Sequence, residues 1–467
     1  MPSQKRPPNV IVFFTDQQRW DSTGLHGCPL DLTPNYDRMA REGTHLSHLF
    51  TSQPVCGPAR SCFQSGQWAT QTGCWRNYIP LPHEIPTLAK SFNGAGYHTG
   101  YIGKWHLSVA GRGAVPEADR GGYQYWLGSN TLEFTSDAYQ TTLYNNANEP
   151  VQLPGYRVDA LTDAAIRYID DQKENPFFLF LSYIEPHHQN HRDDYPAPDG
   201  YAERYQGRWT PPDLLALGGS SQQHLAGYWG MIKRLDEALG RIRDSLKSLA
   251  LDRDTIILFT TDHGCHFKTR NSEYKRSCHE ASIRLPGAVC GPGFEGGGDV
   301  RQLVSLLDLP PTLLDAAGIE IPDTFAGRSV LPLLRGDTQD WPEEVFVQIS
   351  EAEVGRAIRT HRWKYAVRAP NEGPDKPETG AASDVYHEQY LYDLYSDPYE
   401  LKNLAGCRPH REISDQLQAR LLQRMEAAGE AVPRIEPAQP SHGGQRIVEA
   451  ATELDAVTWL RPDMTKD

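Results

Sequence analysis

The sequence has no long apolar run. Its longest strongly apolar stretch, Phe177 to Ile184, is far shorter than the roughly 20 residues that a helix needs to cross a bilayer. The polar, Pro-rich start of the chain leads straight into the strand-like stretch Asn9 to Phe14, which leaves no room for an apolar secretory signal. We therefore expect a protein without a membrane partner that is cytoplasmic or has lost its leader.

Basic residues are also fewer than acidic residues. The chain has 46 Lys and Arg against 60 Asp and Glu, a net charge of −14. An acidic balance of this size argues against nucleic acid as a general partner. It does not exclude an anionic small molecule, because a site can be locally basic inside an acidic protein.

The cysteines do not form a short-spaced framework. Their spacing suits neither a zinc ribbon nor a disulfide scaffold, so buried or free thiols are expected for most of them. The eight are Cys28, Cys56, Cys62, Cys74, Cys265, Cys278, Cys290 and Cys407. Cys56 differs from the others because it opens the string Cys56-Gly57-Pro58-Ala59-Arg60.

The residues that are present indicate an ordinary globular chain of the α/β class. With 467 residues, one large and one small domain are expected. Apolar runs alternate with helical patterns over the first three quarters, which favours βαβ units around a large, mostly parallel sheet sandwiched by helices. The expected buried strands are Val10 to Phe14, Thr99 to Ile102, Phe177 to Tyr183 and Ile256 to Thr260, and the expected helices include Pro34 to Glu42, Thr87 to Ala95, Val158 to Lys173 and Gln222 to Ser248.

The last quarter of the chain has a different character. Short strands with aromatic and basic residues precede the amphipathic helix Glu412 to Ala428, which predicts a small antiparallel sheet plus helix. We therefore predict a catalytic domain over 1–340, a C-terminal α+β subdomain over 341–432 and an extension over 433–467 that covers the surface or an oligomer neighbour. The stretches 112–155 and 193–219 are predicted to be long excursions that line the site.

Chemically active residues follow several of the predicted strands. Asp16-Gln17 comes after the first strand and Asp262-His263 after a later one. Ligands bind beyond the carboxyl ends of strands in open α/β sheets, so these two distant pairs can meet. Two carboxylates, an amide oxygen and an imidazole suit a hard or borderline divalent cation, although each pair alone also fits a helix cap.

Three other segments indicate a functional site only weakly when each is considered alone. Gly103-Lys104-Trp105-His106 follows a short strand, yet by itself it fits a surface lysine and a core histidine. His187, His188 and His191 follow Pro186 after another strand, but lack the nearby cysteines or HExxH spacing of a zinc site. Lys275 alone is an unremarkable solvated lysine.

Taken together in chain order, these segments make the sequence resemble the type I sulfatases of the alkaline-phosphatase-like superfamily. The C-x-P-x-R string at Cys56 to Arg60 resembles the family's maturation signal, which a chance match alone could produce. The further matches, covering nearly the whole chain, are Asn9 to Gln17, Thr33 to Asp37, Gly103 to His106, Pro186-His187, Tyr228 with Asp236 and Gly240, Thr260 to Gly264, Lys275 with Glu280, Asp308 with Pro311-Thr312, and Leu391 to Leu394 with Asp397-Pro398 and Asn403-Leu404.

The resemblance implies a sulfuric ester hydrolase, acting on a sulfated sugar or a small aryl sulfate. Cys56 would be oxidised to 3-oxoalanine (formylglycine) by a separate maturation enzyme, and its hydrate would attack sulfur. The metal ligands implied are Asp16, Gln17, residue 56, Asp262 and His263, with Ca²⁺ expected before Mn²⁺ or Mg²⁺. Arg60 and Lys104 would support the nucleophile, His187 and Lys275 would hold sulfate and protonate the leaving alcohol, and His106 would take the second diol proton.

Departures from the family pattern leave alternatives open. Ser65-Gly66-Gln67 stands where Thr-Gly-Arg is usual in the family. In addition, no proline follows two residues after position 187. His188 is therefore an alternative to the favoured His187 as the ring that faces the substrate. A phosphonate monoester or phosphodiester hydrolase of the same superfamily is the alternative function. A catalytically inactive binding protein is a third, disfavoured because the metal quartet, Cys56 and the cations are all present.

Overall fold

The computed structural model describes residues 6–370 and 380–441. Within them the helices are α1 Pro34–Glu42, α2 Cys56–Ser65, α3 Ala69–Thr72, α4 Leu88–Gly94, α5 Leu132–Thr135, α6 Arg157–Gln172, α7 Tyr201–Tyr205, α8 Pro212–Leu217, α9 Ser221–Ser248, α10 Glu280–Ile283, α11 Leu309–Ala316, α12 Leu331–Leu334 and α13 Arg411–Ala427. No helix of this described part is long and apolar enough to cross a membrane.

The strands fall into one large and two smaller sheets. They are β1 Asn9–Thr15, β2 Thr44–Leu46, β3 Leu49–Phe50, β4 His98–Lys104, β5 Tyr125–Ser129, β6 Thr141–Tyr144, β7 Pro150–Leu153, β8 Phe177–Ser182, β9 Thr255–Thr261, β10 Arg284–Leu285, β11 Ala288–Cys290, β12 Gly298–Val300, β13 Val304–Ser305, β14 Glu344–Ile349, β15 Gly355–Thr360, β16 Trp363–Arg368, β17 Val385–Asp393 and β18 Arg434–Glu436.

The large sheet has ten strands in the order β12-β2-β11-β9-β1-β8-β4-β5-β6-β7. Its five central strands, β9, β1, β8, β4 and β5, run parallel, and both flanks carry antiparallel pairs. Side chains alternate across β1: Val10, Val12 and Phe14 belong to one apolar cluster and Ile11 and Phe13 to another. Helices cover both clusters, so the predicted α/β sandwich is confirmed.

The C-terminal region forms its own sheet in the order β14-β15-β16-β17-β18. One face packs on α13, through residues such as Ile358 and Leu421. The other face, including Val347, packs against Phe50 of the three-stranded sheet β10-β3-β13 and Ile283 of α10, both in the N-terminal part that also forms the large sheet. The predicted small antiparallel sheet with its helix is therefore confirmed, although β18 pairs with β17 in parallel and lies inside the segment expected to be a C-terminal extension; positions 442–467 of that segment lie outside the described residues.

The stretch 112–155, expected to be one long excursion, contains three strands of the large sheet. β5 extends the parallel core next to β4, and β6 and β7 form an antiparallel edge. Periodicity did not reveal β5 because it is short and includes Gly128. The remaining loop between β5 and β6 carries α5, which lies at the site described next.

Candidate active site

Two parallel strands bring the predicted acidic pairs together. β1 and β9 are in register, with Thr15 opposite Thr261, so that Asp16 and Asp262 leave the sheet side by side. The backbone N–H groups of Gln17 and His263 both donate to Asp262 Oδ1, at 3.1 and 2.9 Å. Gln17 has a φ of +67°, a conformation uncommon outside glycine. The strand ends thus fix these four side chains in one place.

Cys56 is the first residue of α2 and is fully buried. Its Sγ lies 3.2 Å from His263 Nε2 and 3.6 Å from Asp16 Oδ1. The candidate ligand atoms of Asp16, Cys56, Asp262 and His263 all lie within 4.8 Å of one another. Burial acts to raise the pKa of the Cys56 thiol, but the charges of Lys104 and Lys275 outweigh it and hold that pKa well below its ordinary value.

Two buried cations face the carboxylates. Lys104 Nζ lies 2.7 Å from Asp16 Oδ2, and Arg60 Nη2 lies 3.0 Å from the same oxygen and 3.2 Å from Asp262 Oδ2. Burial works to raise the pKa of Asp16, yet these cations keep it below the usual range. Burial and the charge of Asp16 raise the pKa of Asp262 to about 6. The ionised form of Asp262 is therefore the one that burial and the charge of Asp16 destabilise.

Lys275 and His187 approach the thiol from the other side. Lys275 Nζ lies 3.0 Å from Cys56 Sγ and 3.0 Å from His187 Nε2. His187 Nδ1 lies 2.7 Å from the carbonyl oxygen of His188, so Nδ1 carries the proton and Nε2 accepts from Lys275. Burial and the charge of Lys275 lower the pKa of His187. The ring of His188 instead stacks between His187 and Tyr274.

His106 completes the predicted set. It follows β4, is 3 % exposed and has a φ of +64°. The ring of Tyr78 meets it edge to face, with centroids 5.6 Å apart, while 59 % of Tyr78 remains exposed. All the residues predicted from the sequence for catalysis and metal binding are thus brought to one buried centre with an aromatic side chain at its mouth.

Three contributors were missed. Glu133 of α5 is buried, with Oε1 3.3 Å from Lys104 Nζ. Asn77 Oδ1 accepts the N–H of Gly57 at 2.9 Å, and a Cβ at position 57 would lie 2.9 Å from that oxygen and displace the Asn77 side chain. Glu351, from the C-terminal sheet region, contacts Asn77. Glu133 and Asn77 follow no strand that the pattern identifies, and Glu351 follows a predicted strand of the C-terminal sheet whose approach to the site only the fold reveals.

Glu280, matched in the sequence together with Lys275, lies elsewhere. Its carboxylate pairs with Arg359 and Lys364 of the C-terminal sheet, at 3.2 and 2.8 Å. It thus belongs to the contact between the two sheet regions.

Comparison with known proteins fits this geometry. The family model described as "Sulfatase" matches residues 8–319, and the model "N-sulphoglucosamine sulphohydrolase, C-terminal" matches residues 272–427. The chain is 28 % identical to the ulvan-active sulfatase of Formosa agariphila, over 91 % of this chain and 82 % of that protein. It is 22 % identical to the N-acetylglucosamine-6-O-sulfatase of Bacteroides thetaiotaomicron, over 96 % and 91 % of the two chains.

A solved structure gives the same fold. That protein, described in complex with its substrate D-glucosamine-2-N,6-O-disulfate, superposes with a TM-score of 0.74 at 22 % identity, over 91 % of this chain and 98 % of the other. The family model spans well over half of the present sequence, from ahead of β1 to just beyond α11. The chain therefore belongs to the sulfatase family and is a sulfuric ester hydrolase.

Proposed function

We propose that this sulfatase removes sulfate from sulfated carbohydrates, with a formylglycine made from Cys56 and a Ca²⁺ ion at the adjacent carboxylates. The observation that carries the proposal is the position of residue 56. Its side chain contacts the metal-type ligands Asp16 and His263 and also Lys275, which in turn contacts His187.

The donor set fits a hard divalent cation. Asp16 and Asp262 are fully buried neighbours, and their mutual repulsion appears in the raised pKa of Asp262. With the amide oxygen of Gln17 and His263 Nε2 they offer mainly oxygen ligands, which Ca²⁺ prefers. Such an ion supplies Lewis acid chemistry, by neutralising the carboxylates and polarising oxygens at residue 56 and on the ester. Mn²⁺ and Mg²⁺ are the lesser candidates.

The nucleophile, the charge stabilisation and the proton transfer come from different side chains. The hydrated aldehyde at position 56 supplies a hydroxyl nucleophile. Lys104 and Arg60 hold positive charge beside it and stabilise the charge that develops on the sulfate oxygens. After one hydroxyl of the diol has attacked sulfur and displaced the alcohol, His106 takes the proton of the second hydroxyl, so that the aldehyde re-forms as the bond between residue 56 and sulfate breaks and sulfate leaves.

Lys275 is the proton donor to the leaving alcohol in this arrangement. His187 Nδ1–H is held by the carbonyl oxygen of His188, so His187 Nε2 accepts a hydrogen bond from Lys275 rather than donating one. His187 therefore orients Lys275 toward the leaving alcohol. This favours His187 over His188 as the ring that faces the substrate.

A carbohydrate substrate is supported by the mouth of the site. The largely exposed ring of Tyr78 beside His106 offers a face on which a sugar ring can stack. Two relatives carry names that refer to ulvan and to N-acetylglucosamine 6-O-sulfate. Full activity further requires a formylglycine-generating or sulfatase-maturating enzyme in the host.

The deciding experiment is a mass measurement of the peptide that contains Cys56, followed by kinetics on the same preparation. A loss of roughly 18 mass units identifies formylglycine. Matured enzyme should then cleave a sulfated monosaccharide with a higher kcat/KM than an aryl sulfate, and both better than a matched aryl phosphonate ester. A preference for the phosphonate would overturn the proposal in favour of the phosphonate hydrolase alternative.

The metal assignment has a readout that does not depend on activity. Ca²⁺ should raise the Tm of the wild-type protein, because a ligand bound only by the folded state stabilises it. The Asp262→Asn variant should lose most of that shift, whereas Asp299→Asn, which changes a partly exposed aspartate on β12, should keep it. An equal Ca²⁺ shift in both variants would contradict the assignment.

A further inference from the structure

Three side chains with strained backbones meet beside the active site. Tyr78, Arg276 and Glu351 have φ values of +66°, +68° and +68°, in the left-handed region that residues other than glycine rarely adopt. Such conformations persist only where surrounding contacts impose them, and they cluster at functional sites. The carboxylate of Glu351 contacts Arg276 and the residue before Tyr78.

That carboxylate contacts the two segments that flank the nucleophile. Glu351 Oε1 accepts the backbone N–H of Asn77 at 2.6 Å, immediately before Tyr78. Glu351 Oε2 lies 2.5 Å from Arg276 Nη2, immediately after Lys275. Only 16 % of each of the charged side chains Glu351 and Arg276 is exposed, so water weakens this pair little.

Each contact is one residue away from the reacting atoms. Asn77 Oδ1 accepts the N–H of Gly57, the residue after Cys56. Arg276 follows Lys275, whose Nζ is 3.0 Å from Cys56 Sγ. One carboxylate therefore contacts both the residue that bonds the helix start carrying the nucleophile and the residue that follows the lysine facing it, although Arg276 also pairs with Glu273 at 2.7 Å.

Glu351 is itself held firmly because the end of β14 is attached to the segment before the nucleophile. The N–H of Gln348 donates to the carbonyl oxygen of Ser52 at 2.9 Å. The side-chain amide of Gln53 donates to Ser350 Oγ at 2.6 Å. The C-terminal sheet thus holds Glu351 in a fixed position beside a site whose other residues are positioned mainly by the large sheet.

We propose that Glu351 is a positioning residue through which the C-terminal sheet sets the placement of residue 56 and of Lys275. The inference rests on the proposed function, since it takes the roles of those two residues from it. Glu351 acts through Asn77 on the nucleophile and through Arg276 on Lys275, the proton donor to the leaving alcohol.

Two substitutions at position 351 separate these effects. Glu351→Gln keeps an oxygen that accepts from Asn77 but removes one of the two carboxylate charges that hold Arg276, so kcat for a sugar sulfate, whose leaving alcohol takes its proton from Lys275, should fall about tenfold. Glu351→Gly removes both contacts while it relieves the left-handed backbone, so kcat should also fall, by about ten- to a hundredfold. The Tm of Glu351→Gly should not fall below that of the wild type by more than a few degrees.

The matched control lies at the other end of the same strand. Glu344 begins β14 and pairs with Arg420 and Arg424 of α13, away from the site. Glu344→Gln should leave KM and kcat unchanged even if it lowers Tm. All variants are compared per mole of formylglycine, measured from the peptide mass.

The results distinguish the proposed function from the positioning role of Glu351. Wild-type enzyme without sulfate esterase activity would remove the proposed function itself. Active wild-type enzyme together with wild-type kcat and KM in Glu351→Gly would overturn only the positioning role, and so would a loss of kcat that merely follows a fall in Tm across the Glu351 and Glu344 variants.

Discussion

The protein contains two buried clusters of charge that resemble each other and behave differently. The active-site cluster comprises Asp16, Asp262, Glu133, Arg60, Lys104 and Lys275. The interface cluster, between the large sheet region and the C-terminal sheet, comprises Glu280, Glu400, Arg270, Arg284, Arg359 and Lys364. Each has a lysine between two carboxylates: Lys104 between Asp16 and Glu133, and Lys364 between Glu280 and Glu400, at 2.8 and 2.5 Å.

A buried cysteine accompanies each cluster, and its pKa shows the difference. Burial raises the pKa of Cys278 in the interface cluster, and the nearby Lys364 does not overcome burial together with the charges of Glu400 and Glu353. The pKa of Cys56 is held low, despite burial, by the charges of Lys104 and Lys275. Lys104, like Lys364, contacts two carboxylates, so the difference between the clusters is the additional cation Lys275. Lys275 Nζ contacts Gln17, Cys56 and His187, none of which is a carboxylate. A buried charge network therefore does not by itself indicate an active site; a cation directed at a nucleophile does.

The largest expected effect is at Lys104. Lys104→Met should lower kcat/KM by about 10²- to 10³-fold, because a cation that stabilises developing sulfate charge is lost. The measurement is steady-state hydrolysis of a sulfate ester, normalised to folded, formylglycine-containing protein. Activity within threefold of wild type would show that Lys104 only stabilises the fold, and the contrast between the clusters would disappear.

Lys364→Met is the matched substitution in the interface cluster. Removal of Lys364 takes away the cation that Glu400 contacts and leaves Glu280 with its arginine partners, and should cost about 3–5 kcal/mol of unfolding free energy. Urea denaturation measures this loss. The kcat and KM of the molecules that remain folded should match the wild-type values; a large fall in kcat at unchanged stability would mean that the interface cluster takes part in catalysis.

A smaller effect concerns pH and the same interface. Half-buried His48 faces His361 of the C-terminal sheet, and burial, with the charges of Arg284 and Arg359, lowers its pKa to about 3. An unfolded histidine takes up a proton near pH 6.5. The folded state therefore binds fewer protons between pH 6.5 and 3, so this stability contribution is lost as pH falls through that window.

His48→Gln should remove that contribution. Because the ring is partly solvated, we expect the wild type to lose only about 1 kcal/mol more unfolding free energy than the variant between pH 6.5 and 4. Urea denaturation at the two pH values measures the difference. Parallel pH profiles for the two proteins would mean that His48 does not contribute.

The sequence predicts the centre of the site because its residues follow strands. Asp16, Asp262, Lys104 and His187 each come shortly after a buried apolar run, and the carboxyl ends of parallel strands share one edge. The sequence does not predict Glu133, because a glycine and polar neighbours obscure the apolar pattern of β5, the short strand that precedes it. Nor does it predict Glu351, because its role depends on the packing of two sheets that are distant in sequence.

The same dependence on distant packing explains Glu280. Its position five residues after Lys275 suggested a shared role, yet α10 directs it toward Arg359 and Lys364. Sequence proximity within a loop therefore does not fix which of two neighbouring clusters a charged side chain joins.

The parallel strand β18 has a consequence for how the protein can be produced. Arg434 to Glu436 lie along β17 from Val385 to His387 and cover the edge of the C-terminal sheet. A ribosome completes this covering strand only after α13 has been made. Fragments that stop before Arg434, through early termination or trimming, leave β17 as an open edge, and such edges recruit strands from other molecules. Shortened chains should therefore collect in inclusion bodies, whereas chains that extend through β18 remain dispersed.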